Sequence, residues 1–303
     1  MSVAEVHPHE RHPLGQLEQP SSLGRDALDR FRHNKAAMVG VAVILLLVLI
    51  AIFAPLIAPY ETGQQVGVLD SSNPEGPSSE HWMGLDEQGR DVFSRVVYGA
   101  RLSLLVGLVS VAFGLSFGFI LGALAGYFGG WVETITMRAM DIMLAIPALL
   151  LAIGLVTLLG RGLIQIMIAV GITTIPIFAR LLRGSILAQR ESDYVLAARS
   201  LGVRGRRLLT VHILPNALAP LIVQATLVTA TAIIDVAGLS FLGLGPAEPG
   251  LPEWGKMLAD NASRIDRATH LVIFPGAAIV ISVLGLNLIG DGLRESIDPK
   301  LRS

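Results

Sequence analysis

One short segment of the chain comes close to a nucleotide-binding motif. Gly250-Leu-Pro-Glu-Trp-Gly-Lys-Met257 follows the phosphate-loop pattern G-x-x-x-x-G-K-[ST] up to its last position. Such a loop binds phosphate through backbone N–H groups and binds Mg²⁺ through its final hydroxyl. Met257 has no hydroxyl and Pro252 has no N–H, so we predict that this segment does not bind a nucleotide. The sequence has no cysteine and no other catalytic or metal-ligand spacing, so we predict no catalytic residue, no metal site and no cofactor within the chain.

Asp235 is an acidic residue well inside an apolar stretch that runs from Thr231 to Gly238. An ionisable side chain inside a membrane is costly and usually faces a cavity or a partner. Asp235 could therefore line or gate a pathway. It could equally be a structural carboxylate satisfied by its neighbours near the membrane surface, and the residue types leave both interpretations open.

The residues from 194 to 215 form a basic, helix-forming segment between two apolar runs. Tyr194, Ala197, Ala198 and Leu201 have the spacing i, i+3, i+4 and i+7, which places them on one face of a helix. The two alanines at the centre of this face would let a neighbouring molecule approach closely. Gly202 is suited to end the helix, because glycine adopts the left-handed cap conformation at little cost. The segment is either a docking helix for a cytoplasmic partner or an interfacial helix held by anionic lipid.

The composition places the chain in a membrane. Hydrophobic residues make up 52% of its 303 residues and charged residues 16%, against about 25% charged residues in soluble domains. A membrane-spanning helix needs about 20 mostly apolar residues. Six runs approach that length: residues 36–59, 102–127, 143–159, 163–179, 217–239 and 271–289. We therefore predict an all-α integral membrane fold with six transmembrane helices, because lipid offers no partner to an irregular backbone. The net charge of −1 gives no indication of nucleic-acid binding.

The positions of Lys and Arg orient these helices. Basic residues are concentrated before the first span, between the fourth and fifth spans, and in the tail. Six spans put these three regions on one side, which the positive-inside rule makes cytoplasmic. We predict a cytoplasmic N-terminal tail with a short amphipathic helix (1–35), a first span (36–59) and an extracytoplasmic loop (60–101). A core of five spans (102–293), which includes the loop 190–215, and a cytoplasmic tail (294–303) follow.

A stripe of glycines occupies one face of the second predicted span. Gly114, Gly118, Gly122 and Gly126 recur every four residues. Grooves of small residues let helices approach closely in lipid. Helix packing is the simpler interpretation of the stripe, and a face that slides during a conformational change is the alternative.

The segment 194–215 resembles the E-A-A-x-x-x-G loop, followed by I-x-L-P, of inner-membrane permease subunits of ABC importers. Ala197, Ala198, Gly202, Leu214 and Pro215 match the pattern. Leu196 stands at the glutamate position and His212 at the isoleucine position. Other motifs are similar to the C component of dipeptide and oligopeptide permeases. They are residues 81–91 with 98–103, 239–245, 254–255, and 290–294 with 298–300.

The resemblance implies a type I ABC importer permease in the bacterial inner membrane, with both termini in the cytoplasm. It implies a second, homologous permease subunit, two cytoplasmic ATPase subunits that bind ATP and Mg²⁺, and an extracytoplasmic solute-binding protein. The segment would be the coupling helix, and bulky replacements at Ala198 or Gly202 would uncouple the ATPase from transport. Its ATPase-coupling residues would be Tyr194, Ala197, Ala198, Gly202, His212, Leu214 and Pro215. Di- or oligopeptides are the substrate that the resemblance favours, and nickel or another small solute is the alternative.

Two other classes of protein compete with this interpretation. An ion-coupled secondary transporter needs ionisable groups near the middle of the membrane, and Asp235 is the only acidic candidate well inside the predicted spans. A non-transporting scaffold would hardly need both the coupling-loop and the outer-loop motifs.

Overall fold

The computed structural model describes residues 23–69, 74–248 and 250–297, and the regular structure of these residues is helical apart from two isolated β-bridges. In chain order the helices are α1 (Leu23–His33), α2 (Lys35–Ile52), α3 (Ala54–Ile57), α4 (Val92–Phe128), α5 (Gly130–Ala145), α6 (Ala148–Leu159), α7 (Leu163–Arg190), α8 (Asp193–Ser200), α9 (Gly205–Arg207), α10 (Leu214–Ala217), α11 (Ala219–Leu239), α12 (Trp254–Asn261) and α13 (His270–Ile297). Leu208–Ile213 and Ser240–Leu244 are π-helical, and Ala262–Arg264 is a 3₁₀ turn.

Five of these helices are long and apolar enough to cross a membrane, namely α2, α4, α7, α11 with its π-helical extension, and α13. The pair α5 and α6 passes the same test together and is bent by 94° at the break between them, which gives up to six spans. The predicted all-α membrane fold is confirmed. The part of the predicted N-terminal tail before Leu23 and the motif 298–300 lie outside the described residues.

The predicted third span is wrong in its bounds and in its continuity. Residues 143–159 are not one helix, because the chain turns at Ile146 and Pro147 between α5 and α6. Proline disfavours the helical conformation in the residue before it, and Ile146 is extended. The regular structure also begins much earlier, at Gly130, since α5 carries Glu133, Arg138 and Asp141, which an apolarity criterion rejects.

The second span also begins earlier than predicted. Helix α4 starts at Val92 instead of residue 102, so a quarter of the predicted outer loop is helical. Asp91 caps the helix: its carboxylate accepts from the Ser94 N–H at 2.7 Å and from the Ser94 hydroxyl at 2.8 Å. The first span ends at Ile52, and Arg101 of α4 donates to the carbonyls of Ala51 and Ile52 at 3.1 and 3.3 Å. Arg101 therefore anchors the end of α2.

The glycine stripe lies against α7. A Cβ built on Gly118 would lie 2.5 Å from Phe178 Cβ and 2.9 Å from the Ile175 carbonyl oxygen. The other glycines of the stripe approach the same helix, Gly114 at Gly171 and Thr174, and Gly126 at Ile186. The contact agrees with the packing interpretation, because only a hydrogen at these positions lets the two backbones come so close.

We expect Gly118→Leu to destabilise the protein by about 1–3 kcal/mol or more, because extra atoms in a packed core usually cost that much. The matched control is Gly154→Ala on α6, where a Cβ would meet no atom within 4 Å. Thermal unfolding in detergent, followed by size-exclusion chromatography, measures the difference. Equal midpoints for the two variants would contradict the tight packing of α4 on α7.

Two ion pairs join α5 to α7. Glu133 pairs with Arg183, whose Nε lies 2.8 Å from the Glu133 carboxylate, and Asp141 pairs with Arg180. The first pair is mostly covered, whereas the side chains of the second are about half exposed. The region between the fourth and fifth spans is also shorter than predicted, because α7 continues beyond residue 179 to Arg190 and includes Arg183.

Candidate functional site

The segment between α7 and α11 folds as a short helix, a bend and a return. Helix α8 spans Asp193–Ser200 and is terminated by Gly202, whose φ of 78° lies in the left-handed region. The Val203 N–H donates to the Ala198 carbonyl at 3.2 Å, and the Gly202 N–H donates to the Arg199 carbonyl at 3.0 Å. This pair of hydrogen bonds is the Schellman arrangement. The prediction that Gly202 ends the helix is confirmed.

Helix α8 rests on the membrane helices through one buried side. Val195 and Ala198 pack in an apolar cluster with Leu182 and Ile186 of α7 and with Leu208 and Ile213 of the π-helical turn. The predicted contact face of Tyr194, Ala197, Ala198 and Leu201 is not exposed throughout, because Ala198 is only 9% exposed. The return of the chain after Gly202 covers Ala198.

The opposite side of α8 is open to solvent. Tyr194 is 39% exposed and Leu201 85% exposed, and Ala197 is exposed between them. Leu196, which stands at the glutamate position of the loop pattern, is also exposed. We call Tyr194, Leu196, Ala197 and Leu201 the α8 outer face. Exposed apolar residues grouped on one element make it a candidate contact surface for another molecule.

A hydrogen-bond cluster fixes α8 to the helices on both sides of it. The Tyr194 hydroxyl donates to the Gln189 side-chain oxygen at 2.6 Å, and the Asn216 amide donates to the Tyr194 hydroxyl at 3.2 Å. The same amide donates to the His212 carbonyl at 2.9 Å. Gln189 lies in the last turn of α7 and Asn216 belongs to α10, so the start of α8 is tied to two neighbours. The loop pattern does not include Gln189, so the sequence did not indicate that its side chain contacts Tyr194.

The residues after the bend lead the chain back into the membrane. His212 lies in the π-helical turn and contributes its carbonyl to the cluster, and Leu214 packs against the buried side of α8. Pro215 is exposed in the first turn of α10. Pro220 holds the corresponding place in the first turn of α11, the helix of the fifth span.

A third contact ties the segment to α4. Arg190, the last residue of α7, donates to the Gly126 carbonyl at 3.0 Å. Gly205 lies against the Tyr127 hydroxyl, which a Cβ at that position would approach to 2.9 Å. The segment 193–217 thus contacts α4, α7 and α11. Movement of the segment would therefore displace three of the candidate spans.

Asp235 lies apart from this segment, on α11 near the end that leads into the second π-helical turn. Its side chain is half-buried, and no described residue forms an ion pair or a hydrogen bond with it. Its role in a pathway or gate stays a prediction. Within the described residues, no group of three His, Asp or Glu side chains could hold a metal ion.

The outer motifs meet at the other end of the molecule. Glu253 is buried, and its carboxylate accepts from the N–H groups of Gly255 and Lys256 at 2.8 and 2.7 Å. It therefore occupies the amides that a phosphate loop would offer to a nucleotide. The Trp254 indole donates to the Val96 carbonyl at 2.9 Å and lies against Gly99 of α4. These motifs form a structural joint between α4, α11 and α12.

A buried charge cluster, which the sequence reasoning missed, stabilises the same joint. Asp86 accepts from the Arg90 backbone N–H at 3.0 Å and from its Nε at 2.7 Å. Arg95 is buried, lies 3.4 Å from Asp86 and donates to the Gly250 carbonyl at 3.1 Å. The i, i+4 spacing of Asp86 and Arg90 could have indicated an ion pair, but this spacing is common on protein surfaces.

The fold, the packed glycine stripe and the braced segment between two spans define a membrane permease. Residues 118–303 match the family model described as the inner membrane component of binding-protein-dependent transport systems, and the chain belongs to this family. Residues 22–74 match the model of the N-terminal transmembrane domain of oligopeptide transport permease C. The predicted resemblance to the C subunit of peptide permeases is thereby confirmed.

Several curated proteins are similar over nearly the whole chain. The dipeptide transport system permease protein DppC of Alkalihalophilus pseudofirmus is 49% identical, with 92% of this chain and 90% of that protein covered. The di/tripeptide transport system permease protein DppC of Pseudomonas aeruginosa is 47% identical, with 95% of each chain covered. The glutathione transport system permease protein GsiD of Pectobacterium atrosepticum is 44% identical, with 92% of each covered.

Solved structures show the same fold at lower sequence identity. The MetNI methionine ABC transporter, in an inward-facing conformation, aligns with a TM-score of 0.56 at 20% identity over 67% of this chain and 96% of that chain. A chain of an amino acid ABC transporter aligns with a TM-score of 0.53 at 15% identity, covering 66% and 92%. The predicted type I permease fold is confirmed.

Proposed function

We propose that this chain is the permease subunit of an ATP-driven importer of short peptides, and that α8 couples it to a cytoplasmic ATPase. The observation that carries the proposal is the construction of the segment 193–217. One side of α8 is buried in the permease and fixed by the Tyr194 cluster, while the α8 outer face is open and apolar. A rigid element with an open contact surface is what transmission of movement requires.

The family to which the chain belongs supports a set of partner proteins. The segment that resembles a phosphate loop has its amides occupied by Glu253. ATP and Mg²⁺ would therefore bind to two partner ATPase subunits, one of which docks on the α8 outer face. A second, homologous permease would complete the pathway, and an extracytoplasmic binding protein would deliver the solute. The segment 193–217 and both termini would face the cytoplasm, in agreement with the Lys and Arg distribution.

Short peptides are the substrate class that the relatives support. Three similar permeases are named for dipeptides, for di- and tripeptides and for glutathione, which is itself a tripeptide. This chain aligns with at least nine-tenths of the length of each of the three.

Mass spectrometry of the proteins that co-purify with the tagged chain, followed by uptake measurements in proteoliposomes, tests the proposal. We expect a second permease and ATPase subunits in the preparation, and uptake of labelled alanyl-alanine that needs ATP and the binding protein. Uptake that follows a proton gradient without ATP would contradict the proposal and would favour the secondary transporter and Asp235.

We expect Tyr194→Phe to lower ATP-driven uptake about five-fold or more, within the usual range of coupling energies. The change removes the hydroxyl that bonds Gln189 and Asn216 but keeps the exposed ring. The helix α8 would then be less firmly fixed to α7 and α10. The control is Ser200→Ala, because the Ser200 hydroxyl donates only to the Leu196 carbonyl within α8. Equal uptake in the two variants would show that the cluster does not support coupling.

A further inference from the structure

A cavity of 670 Å³ lies between α5, α7 and α11, towards the ends of α7 and α11 that are nearest to α8. One stripe of α7 forms most of its wall, with α5 and α11 on either side. Residues at the wall include Ile177, Arg180, Leu181, Gly184, Leu144 and Gln224. A Cβ built on Gly184 would meet no atom within 4 Å, so the glycine borders open space and is not a packing contact.

Arg180 lines this cavity and forms an ion pair with Asp141, and exposure of either charged side chain to lipid would be costly. Arg180 lies about 26 Å from the start of α7, near the edge of a hydrocarbon layer about 30 Å thick. The side chains of Arg180 and its ion-pair partner Asp141 are 53% and 51% exposed in this chain. Charged side chains within spanning helices face a water-filled cavity or a protein partner, because exposure to lipid is costly. The exposed side of the pair therefore belongs to the pathway or to a subunit contact.

The pair has hydrogen-bonding capacity left over. Among the described residues, Arg180 donates only to Asp141, although a guanidinium has five N–H donors. An ionised carboxylate such as Asp141 can accept several hydrogen bonds. The Gln224 amide, at the same cavity, forms no hydrogen bond with another described residue, in contrast to the saturated cluster around Tyr194.

We propose that Asp141 and Arg180 bind the two charged ends of a peptide on its way through the permease, with Gln224 bonding the peptide group between them. The proposal rests on the proposed function. A short unblocked peptide carries an ammonium and a carboxylate, and these are the ions that an Asp–Arg pair complements. Arg binds a carboxylate through two parallel hydrogen bonds, and Asp accepts from the ammonium. Peptide binding would exchange the internal ion pair for two ion pairs with the substrate.

The test uses the assembled complex in proteoliposomes with its binding protein, and labelled alanyl-alanine as the probe. We expect Arg180→Gln and Asp141→Asn each to lower the uptake rate about tenfold or more, because each leaves one end of the peptide without a charged partner. The control is Glu133→Gln, which breaks the other ion pair between α5 and α7 away from the cavity wall. We expect it to stay within about two-fold of the wild-type rate.

A charge exchange separates substrate binding from helix packing. The double variant with Asp141→Arg and Arg180→Asp restores the ion pair between α5 and α7 but reverses the charges that a passing peptide meets. Our proposal predicts that it remains as slow as the single variants, and recovery of uptake would overturn it. Loss of the second permease from the purified single variants would also overturn it, since the pair would then be a subunit contact.

The wild-type complex distinguishes this inference from the function on which it rests. Uptake of alanyl-alanine by the wild-type complex, together with unchanged uptake in Arg180→Gln and Asp141→Asn, would reject the inference and keep the peptide importer. Absence of ATP-driven peptide uptake in the wild type would reject both.

Discussion

Ala197→Trp is expected to lower ATP-driven uptake about tenfold or more while leaving the permease folded in the membrane, an effect within the range of allosteric coupling energies. Ala197 lies at the centre of the α8 outer face, so its side chain projects from the permease towards the proposed ATPase. An indole at this place would hold the two proteins apart without disturbing the cluster beneath α8. Ala197→Ser, which adds one atom, is the matched control and should keep nearly full uptake.

The measurement combines uptake with the ATPase rate of the same preparation. We expect the Ala197→Trp complex to lose the stimulation of ATP hydrolysis by peptide-loaded binding protein. Wild-type uptake in this variant would show that the α8 outer face does not touch the ATPase.

The neighbouring Ala198 should respond differently. Because Ala198 is buried against Val195, Leu208 and Ile213, we expect Ala198→Trp to displace α8 from the permease and to lower its stability, and not to act at a docking surface. Overpacking of this kind usually costs about 1–3 kcal/mol. A lower unfolding temperature in Ala198→Trp but not in Ala197→Trp would distinguish the two sides of the helix.

Gly202→Val is also expected to lower ATP-driven uptake about tenfold, as for Ala197→Trp, but because of its backbone conformation. Gly202 has φ of 78°, and a non-glycine residue in the left-handed region costs about 1–2 kcal/mol, more for a β-branched one. Its surroundings are open, since a Cβ would meet no atom within 4 Å. The penalty therefore comes from the backbone, and relief of the strain would disrupt the Schellman turn that returns the chain over Ala198.

Gly202→Asn is the matched control, because asparagine tolerates the left-handed region better than other side chains. We expect its uptake to lie much closer to wild type than that of Gly202→Val, as measured by alanyl-alanine uptake in the same vesicles. If Val and Asn at this position were equally harmful, side-chain size would matter more than backbone conformation, contrary to the open space in the structure.

The sequence predicted the segment 190–215 and its glycine stop, but it did not predict which side of α8 is open. The spacing of Tyr194, Ala197, Ala198 and Leu201 is consistent with one face of an isolated helix. The buried side depends on the return of Leu208 and Ile213 over Ala198, which is a tertiary contact. Helix α8 has only eight residues, and its mixture of apolar, polar and charged side chains does not show which side the returning chain covers.

The spans illustrate the same limit. Runs of apolar residues located the beginnings of α2, α7, α11 and α13 to within two residues, because lipid selects for that composition. The predicted ends were less accurate, since α2 ends well before its predicted bound and α7 and α13 end well after theirs. The apolar runs missed the beginning of α4 at Val92 and the charged helix α5, where capping by Asp91 and ion pairs with α7 decide the structure. The cavity beside Arg180 could not be predicted, since it depends on how three helices from distant parts of the chain meet.

Photo-crosslinking from α8 tests the central claim most directly. The chain has no cysteine, so Ala197→Cys and Ala198→Cys each introduce a cysteine that is unique in this chain. It can be labelled with benzophenone maleimide in membranes that contain the assembled complex. Our account predicts a crosslink from Ala197→Cys to an ATPase subunit, identified by mass spectrometry, and little labelling of Ala198→Cys. Crosslinks from Ala197→Cys to lipid alone, with the ATPase subunits present in the membrane, would contradict it and identify α8 as an interfacial helix.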